Sequence, residues 1–227
     1  MTPRITVAID GYSACGKSTL AKDLAQRFGL IHVDSGSMYR AVTYHLLKHQ
    51  IDPSKTAEVK KILHDIDLRF LQEGSLFVLL LNGSPPGDAL RSKAVDDQVS
   101  QVASYGFVRE KMVEIQQNIA RDRGVVMDGR DIGIVVFPNA ELKIFLQADL
   151  EIRVDRRYLE LGTTENQLAR KIVAQNLTER DRIDSTREIS PLTKAKDAVV
   201  IDNSNLSRAE QLEVVGALVQ YRSQQLT

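Results

Sequence analysis

The sequence predicts an α/β fold in which a five-stranded parallel sheet is flanked by helices on both faces. Five short runs rich in β-branched residues alternate with longer stretches whose apolar residues recur at helical spacing. Continuously apolar runs are typical of parallel strands buried on both faces, and such strands need a crossover, usually a helix, between them. The alternation therefore indicates right-handed strand–helix–strand units.

The predicted strands and helices can be placed in order along the chain. The strand-like runs are residues 5–9, 30–33, 125–127, 142–146 and 199–201. The clearest amphipathic helices are residues 19–28, 102–120 and 208–222. This order puts the first strand directly before the first helix and leaves a long interval between the second and third strands.

That long interval contains a segment that breaks the alternation. Residues 67–71 and 76–81 are short apolar runs joined and followed by turn-forming residues, which is typical of two or three antiparallel strands. We therefore expect an inserted subdomain over residues 40–98. A second irregular stretch, residues 149–187, is rich in arginine and in acids, a pattern that alone predicts only a solvated helix face.

Length, composition and charge limit the class of protein. The 227 residues correspond to one large domain at about 150 residues per domain, and 43% apolar with 26% charged residues is typical of a globular protein. Lys and Arg number 30, as do Asp and Glu, so no net charge is available to hold a nucleic acid polymer or an anionic membrane. A small phosphorylated ligand needs only a local basic cleft.

Cysteine content and N-terminal hydropathy bear on location. The single cysteine, Cys15, cannot form an internal disulfide, so nothing calls for an oxidising compartment. The first apolar run is too short for a signal-peptide core, and no later run approaches the ~20 apolar residues of a membrane-spanning helix. These observations favour a cytoplasmic protein without a membrane partner.

Residues 11–18, GYSACGKS, fit the pattern GxxxxGK[ST] of a phosphate-binding loop, and they lie between the first predicted strand and the first predicted helix, as that motif requires. Glycines let backbone N–H groups turn toward phosphate oxygens, and the helix N-terminus favours negative charge. Lys17 adds a positive charge, and the Ser18 hydroxyl suits a magnesium ligand. Cys15 is either a thiol made acidic by this setting or a small space-filling side chain, and we favour the second interpretation because no partner for cysteine catalysis is visible.

A phosphate-binding loop alone does not separate a GTPase, a motor, a partitioning ATPase and a small-molecule kinase. The guanine-reading pattern [NT]KxD has its nearest candidate in TKAKD at residues 193–197, where the acid lies one residue too far along, so a GTPase is disfavoured. Two further polar boxes, DSGSMYR at residues 34–40 and DGRD at residues 128–131, directly follow the second and third strands. Open α/β sheets bind ligands at these carboxyl ends of their strands.

With these boxes the sequence resembles the bacterial cytidylate kinases. That family carries a DSG or DTG box ending in YR, an SxVA segment, a DGRD box and an ERDxxDxxR segment, and this chain completes the set with SQVA at residues 100–103 and ERDRIDSTR at residues 179–187. The resemblance extends from residue 5 to beyond residue 200. Two departures lie in the loop, where the family commonly has GKG[TS] instead of GKST and usually has glycine in place of Cys15.

The fold that this resemblance implies is a P-loop kinase core with a five-stranded parallel sheet flanked by helices, an inserted NMP-binding subdomain containing a small antiparallel sheet, and a short helical lid. The core would comprise residues 1–39, 99–150 and 186–227. The NMP-binding insert would be residues 40–98 and the lid residues 151–185.

The resemblance also implies roles for individual residues. Phosphoryl transfer depends mainly on positioning and charge neutralisation, and the residues expected to supply them are Lys17, Arg130, Arg153, Arg157 and Arg187. The residues expected to bind ATP are Gly11, Ser13, Ala14, Cys15, Gly16, Lys17, Ser18 and Thr19, with Ser18 also a ligand of Mg²⁺. The residues expected to bind the acceptor nucleotide are Ser35, Arg40, Ser100, Arg109, Arg130, Asp131, Arg180, Asp184 and Arg187.

Within the acceptor group, the resemblance distinguishes three tasks. The acceptor phosphate would be held by Arg40, Arg130 and Arg187. The cytosine would be read by Ser100, Arg109 and Asp131, and the sugar would be contacted by Arg180 and Asp184.

Plain structural alternatives remain for several of these residues. Asp131 is equally well placed to cap a helix that follows a strand. Asp34 and Asp128 are suited either to capping or to orienting the magnesium shell through water. Apart from the resemblance, Arg180 and Asp184 would be a solvated helix pair, and the sequence leaves open which lid arginine reaches phosphate.

The activity implied is transfer of the γ-phosphoryl group of ATP to CMP or dCMP, giving ADP and CDP or dCDP, in pyrimidine nucleotide metabolism. The expected partners are these small nucleotides alone, and the chain is expected to be a cytoplasmic monomer. Two alternatives stay open: a P-loop switch protein that controls a partner, and a kinase that prefers UMP or a small metabolite.

Overall fold

The structure is a computed structural model that describes residues 4–73, 76–119, 124–160 and 167–226. The strands are β1 (Thr6–Gly11), β2 (Ile31–Asp34), β3 (Leu68–Glu73), β4 (Leu76–Leu81), β5 (Val125–Gly129), β6 (Leu142–Gln147) and β7 (Val199–Asp202). Five of them form a parallel sheet in the order β2-β5-β1-β6-β7, and β3 and β4 pair as a separate antiparallel sheet. The predicted fold class is confirmed.

Helices connect these strands. They are α1 (Lys17–Phe28), α2 (Ser35–Lys48), α3 (Thr56–Ile62), α4 (Lys93–Val102), α5 (Gly106–Ile119), α6 (Leu150–Glu160), α7 (Gln167–Thr186) and α8 (Arg208–Gln224). A π-helical turn, Ile132–Val136, follows β5. None of the helices in the described ranges is both long and apolar enough to cross a membrane.

The parallel sheet buries both of its faces because alternate residues of its strands point to opposite sides. On β1, Val7 and Ile9 pack with Leu24 of α1 and with residues of α8. Ala8, between them, packs on the other face with residues that include Val113 of α5. This sandwich fixes the carboxyl ends of β1, β2 and β5, from which the polar loops emerge.

The outer strands correct one expectation. Burial on both faces was predicted for all five strands, but β2 has only Val33 fully buried and β7 has only Ile201. These strands lie at the two edges of the sheet, where a neighbour and part of the helix cover are missing on one side.

A second correction concerns the predicted helix over residues 102–120. The structure has two helices there, because α4 ends at Val102 and α5 begins at Gly106, while residue 120 lies outside the described part of the chain. The Ser104 hydroxyl donates to the Gln101 carbonyl at 2.7 Å, which competes with helix continuation. Gly106 packs so closely that a Cβ there would lie 2.4 Å from Ile189 Cδ1. The break turns α4 toward the site.

The segment between β2 and β5 has an apolar core of its own. It is formed by buried residues of α2, α3, β3, β4, α4 and α5, among them Met38, Leu46, Leu79, Val102 and Met112. The cluster includes residues on both sides of the boundaries expected at residues 40 and 98, and those boundaries remain predictions.

Truncation of Leu24 tests the core between α1 and the sheet. Leu24 is fully buried, so Leu24→Ala is expected to lower the free energy of unfolding by about 2 to 5 kcal/mol, measured by urea denaturation. The matched control is Leu159→Ala, because Leu159 is 78% exposed and its loss should change stability by no more than about 0.5 kcal/mol. Equal losses for both variants would contradict this assignment of the core.

Candidate active site

The phosphate-binding loop takes a backbone path that requires its glycines. Gly11 has φ +152°, and a Cβ there would lie 2.0 Å from the Leu146 carbonyl oxygen. Gly16, which precedes α1, has φ +90°, and Ala14 between them has φ +58°. These left-handed positions curl the loop so that its N–H groups converge at the start of α1.

The loop is supported from behind by the segment after β7. Asn203 Nδ2 donates to the Cys15 carbonyl at 2.8 Å, and Arg156 donates to Asn203 Oδ1 at 3.0 Å. Cys15 is fully buried and its thiol lies in this packed interior. This burial supports the interpretation of Cys15 as a space-filling side chain, which stays a prediction.

Arg153 supports the same loop from α6. It donates to the Ala148 carbonyl at 3.0 Å and to the Ser13 carbonyl at 3.2 Å, and it pairs with Asp181. Its guanidinium lies 5.3 Å from the centre of the Tyr12 ring. Asp181 in turn accepts from the Ser13 N–H at 3.1 Å. Arg153 thus braces the loop through its backbone, and its expected catalytic role stays a prediction.

Lys17 is buried at the centre of the loop. Its Nζ donates to the Tyr12 carbonyl at 2.6 Å and lies 3.6 Å from Cys15 Sγ. Burial lowers the pKa of Lys17, and the neighbouring positive charge of Arg130 lowers it further. Both effects would be relieved by phosphate oxygens, which supply negative charge beside the ammonium group.

Ser18 contacts the carboxylate of Asp128, whose charge acts on a second carboxylate, that of Asp34. Its Oγ donates to Asp128 Oδ2 at 2.6 Å, and the other oxygen of Asp128 lies 2.8 Å from His32 Nε2. Burial and the charge of Asp128 raise the pKa of Asp34, whose side chain also caps α2 by accepting from Ser37 N–H at 3.1 Å. Burial alone would raise the pKa of Asp128, but the hydrogen bonds from His32 and Ser18 and the charge of Lys17 outweigh it and lower that pKa.

These loops open into a cavity of about 460 Å³, within the ~300–1,000 Å³ of typical small-molecule sites. Among the described residues, nine Lys or Arg side chains line it against five Asp or Glu side chains. A chain without net charge therefore concentrates positive charge at one place, which favours a ligand with several phosphates.

The cavity brings together nearly all of the predicted site residues. The exceptions are Gly11, Cys15 and Arg153, which shape the loop from behind. The residues that line it are Ser13, Ala14, Gly16, Lys17, Ser18, Thr19, Ser35, Arg40, Ser100, Arg109, Arg130, Asp131, Arg157, Arg180, Asp184 and Arg187. Of the three arginines on α6 between residues 153 and 157, only Arg157 is among them. Their individual roles remain predictions.

Arginines of the DGRD and ERDxxDxxR segments meet beside the loop. Arg130 donates through Nε to Asp184 Oδ2 and through Nη2 to Ser13 Oγ, both at 2.8 Å. Arg187 Nη1 lies 3.6 Å from Asp184 Oδ1. Burial and the positive charges of Arg130 and Arg40 lower the pKa of Arg180 to about 10. This cluster holds more positive charge than its carboxylates neutralise, so it is suited to an anion.

Several polar atoms at this cavity are buried without a partner in the described chain. They are Nε of Arg109, Nε of Arg180 and Nη2 of Arg187. A buried donor that lacks a partner is costly, so such atoms at a cavity indicate a polar ligand.

The cavity wall also contains a buried ion pair, Arg109 with Asp131. Arg109 donates to Asp131 Oδ2 and also to the Ala103 carbonyl at 3.1 Å. The guanidinium lies 5.3 Å from the centre of the Tyr39 ring, and Ser100 of α4 lines the cavity nearby. Arg109 is 2% exposed and Asp131 5% exposed, so both polar groups act in a dry environment.

Asp10 removes the alternative in which Asp131 caps a helix. Asp131 does precede the π-helical turn, but its side chain makes no capping hydrogen bond. The N–H groups of Ile132 and Gly133 donate instead to the two carboxylate oxygens of Asp10, each at 2.8 Å. Burial raises the pKa of Asp10 to about 6, although these hydrogen bonds oppose the rise. The Asp131 carboxylate is thereby left for Arg109 and the cavity.

Sequence analysis missed Asp96 of α4. Its carboxylate pairs with Arg157 and, at 2.6 Å, with Arg40 Nη1, and it lies 3.9 Å from Arg180 Nη1. Asp96 belongs to none of the motifs, and these three partners lie on other helices. His32 was missed for the same reason, since only the sheet brings it to Asp128.

Comparison with known proteins gives a consistent result. A family model described as cytidylate kinase matches residues 7–223. The chain is 49% identical over 213 residues to a cytidylate kinase of Phocaeicola vulgatus, with 92% of this chain and 93% of that protein covered. It is 39% identical over 219 residues to a cytidylate kinase of Bacillus cereus, with coverages of 96% and 97%.

Among solved structures, the chain is similar to a gluconokinase from Sinorhizobium meliloti. The TM-score is 0.51 at 13% identity, with 100% of this chain and 97% of that chain covered. At such low identity the likeness concerns the fold alone.

Proposed function

This chain belongs to the cytidylate kinase family, whose members are ATP-dependent nucleoside monophosphate kinases, and we propose that it phosphorylates CMP and dCMP in the cavity described above. One observation carries the assignment of the site: the phosphate-binding loop and the Arg109–Asp131 pair open into the same basic cavity. A nucleotide donor and a pyrimidine acceptor can therefore face each other across it.

On the donor side, the loop would receive the phosphates of ATP. Its N–H groups and the start of α1 favour negative charge, and the Lys17 side chain lies at the centre of the loop. Transfer of the γ-phosphoryl group breaks its bond to the β-phosphate and forms a bond to the acceptor phosphate. Lys17 and Arg157 would neutralise the charge that spreads over the moving group.

On the acceptor side, Arg40, Arg130 and Arg187 would hold the phosphate of CMP. Guanidinium groups suit this task because they bind phosphate through two parallel hydrogen bonds. Asp184 keeps Arg130 and Arg187 on the same side of the cavity. Holding the acceptor oxygen against the γ-phosphate converts an encounter of two molecules into a reaction within one complex.

The base would be read by the buried Arg109–Asp131 pair. Cytosine has an exocyclic amine that donates and a ring edge that accepts, so it needs an acceptor and donors from the protein. Asp131 supplies the acceptor, while Arg109 and Ser100 supply donors. The hydrogen bond from Arg109 fixes the Asp131 carboxylate in its position.

A magnesium ion fits the residues around Ser18. Mg²⁺ prefers oxygen ligands and is usually bound by few protein groups together with substrate phosphates. The Ser18 hydroxyl donates a hydrogen bond to Asp128 and keeps oxygen lone pairs that can bind a cation. Burial and the charge of Asp128 raise the pKa of Asp34, so a cation there would stabilise both carboxylates. When bound, such an ion neutralises charge on the β- and γ-phosphates.

Removal of the Ser18 hydroxyl tests this assignment. Ser18→Ala is expected to raise the Mg²⁺ concentration for half-maximal rate about fivefold, because one oxygen ligand and its link to Asp128 are lost. The measurement is a Mg²⁺ titration of initial rate at saturating ATP and CMP. A loss of rate that is the same at every Mg²⁺ concentration would show that Ser18 does not bind the metal.

The proposed reaction is tested most directly by acceptor choice. Coupled ADP-release assays with CMP, dCMP, UMP, AMP, GMP and shikimate should give the highest specificity constants for CMP and dCMP. An AMP or shikimate rate tenfold above that for CMP would contradict the proposal. ATP hydrolysis that no acceptor stimulates would favour a P-loop switch protein instead.

Two further expectations accompany this function. We expect the protein to act as a monomer, and to act in the cytoplasm, where its nucleotide substrates are found. Size-exclusion chromatography with light scattering and fractionation of cells would test them.

A further inference from the structure

Asp96 forms ion pairs with arginines of three different helices. It lies on α4, one turn before Ser100, and its carboxylate meets Arg40 of α2, Arg157 of α6 and Arg180 of α7. The Asp96 side chain is 14% exposed, and within the described part of the chain it does not line the cavity, whereas all three arginines do. Asp96 therefore stands behind them, where it can orient guanidinium groups without contacting a ligand.

The three arginines depend on Asp96 to different degrees. Arg40 forms an ion pair with Asp96 Oδ1 but donates its hydrogen bond from Nη1 to the Leu90 carbonyl at 3.1 Å, and Arg180 is the most distant partner of Asp96, at 3.9 Å. Arg157 donates a hydrogen bond to Asp96 Oδ2, whereas Asp96 Oδ1, the oxygen nearest to Arg40 and Arg180, accepts no hydrogen bond in the described part of the chain. Its other partner, Glu160, is 60% exposed and lies on the same helix. An exposed pair of this kind contributes little, so Asp96 is the main anchor of Arg157.

We propose that Asp96 is a positioning residue for phosphoryl transfer, which holds Arg157 over the cavity and links helix α6 to the acceptor side through Arg40. The inference rests on the proposed function. Burial and repulsion lower the pKa of the neighbouring Arg180, which indicates how poorly these arginines would tolerate one another without a carboxylate between them. Asp96 supplies that carboxylate before any substrate arrives.

Replacement of Asp96 by asparagine keeps the size of the side chain and removes its charge. The amide oxygen can still accept from one arginine, but the amide nitrogen then faces another arginine, donor against donor, and the negative charge that holds Arg157 is gone, so Arg157 is held less firmly. We expect kcat with CMP to fall about fivefold, since alignment is lost. The KM for CMP should change less than about threefold, because Arg40 keeps its bond to Leu90 and the arginines keep their charge.

A double-mutant cycle separates positioning from a general loss of folded enzyme. In an Arg157→Ala background, Asp96→Asn should cost less than about twofold in kcat, because the group that Asp96 positions is already absent. The matched control is Asp97→Asn, the neighbouring acid on α4, whose side chain is 41% exposed and whose ion pair within the described part of the chain is with Lys93. This control should retain the parent kcat. Asp96→Ser is measured in parallel, so that the cycle remains interpretable if the asparagine variant does not fold.

The outcomes are distinct. The same fivefold loss in both backgrounds would overturn the inference, because a loss of folded enzyme multiplies with any other loss. An unchanged or higher kcat in Asp96→Asn would overturn it as well, since Asp96 would then be neutral or would compete with phosphate. A parent enzyme that does not phosphorylate CMP contradicts the proposed function, whereas an active parent with multiplying losses contradicts only the role of Asp96.

Discussion

Replacement of Lys17 by alanine is expected to lower kcat for CMP phosphorylation by two or more orders of magnitude. Lys17 is buried at the centre of the phosphate-binding loop and carries the positive charge nearest to its converging N–H groups. A charge placed in a dry site stabilises the developing charge of the transferred phosphoryl group far more than it would in water. The measurement is kcat from coupled ADP release at saturating ATP and CMP.

The fold should survive this substitution, because Lys17 contributes no apolar core and its removal relieves repulsion with Arg130. Urea denaturation of the variant checks that. Lys60→Ala, which removes the same charge from an exposed position on α3, should keep the parent turnover. A Lys17→Ala enzyme with near-parent kcat would show that this loop does not hold the transferred phosphate.

Features that depend on residues adjacent in the chain could be predicted from the sequence. The phosphate-binding loop is one: Gly11, Gly16 and Lys17 stand at fixed spacing between a strand and a helix, and the structure has this strand, loop and helix in place. The buried central strands were predicted for the same reason, since a short continuous apolar run is typical of a strand buried on both faces. The edge strands were predicted less well, because their position in the sheet is not a local property.

Features that depend on distant residues could not be predicted. Whether Asp131 caps a turn or faces the cavity is decided by Asp10, which takes the two N–H groups of that turn and lies on a different strand. Asp96 carries no motif, and its importance appears only when α2, α6 and α7 are packed around it. The close packing at Gly106, the first residue of α5, involves Ile189, far along the chain.

Base specificity is expected to depend on the Asp131 carboxylate, which alone among the proposed base contacts can distinguish an amine from a carbonyl at position 4 of the pyrimidine. In Asp131→Asn, the side-chain oxygen should turn to Arg109, its present partner, and leave the amide nitrogen toward the base. That nitrogen would meet the amine of cytosine as donor against donor. A buried mismatch costs ~1 to 3 kcal/mol, and more where a charge was involved, so the specificity constant for CMP should fall at least about tenfold.

UMP should lose less than CMP in Asp131→Asn, or should gain, because its carbonyl at position 4 accepts from the new amide. The quantity to measure is the ratio of the specificity constants for CMP and UMP, in which any difference in the fraction of active enzyme cancels. The KM for ATP should stay nearly unchanged, since Asp131 pairs with Arg109 and makes no bond to the phosphate-binding loop in the described part of the chain. Equal losses for the two pyrimidines would mean that Asp131 serves only to hold Arg109 and does not read the base.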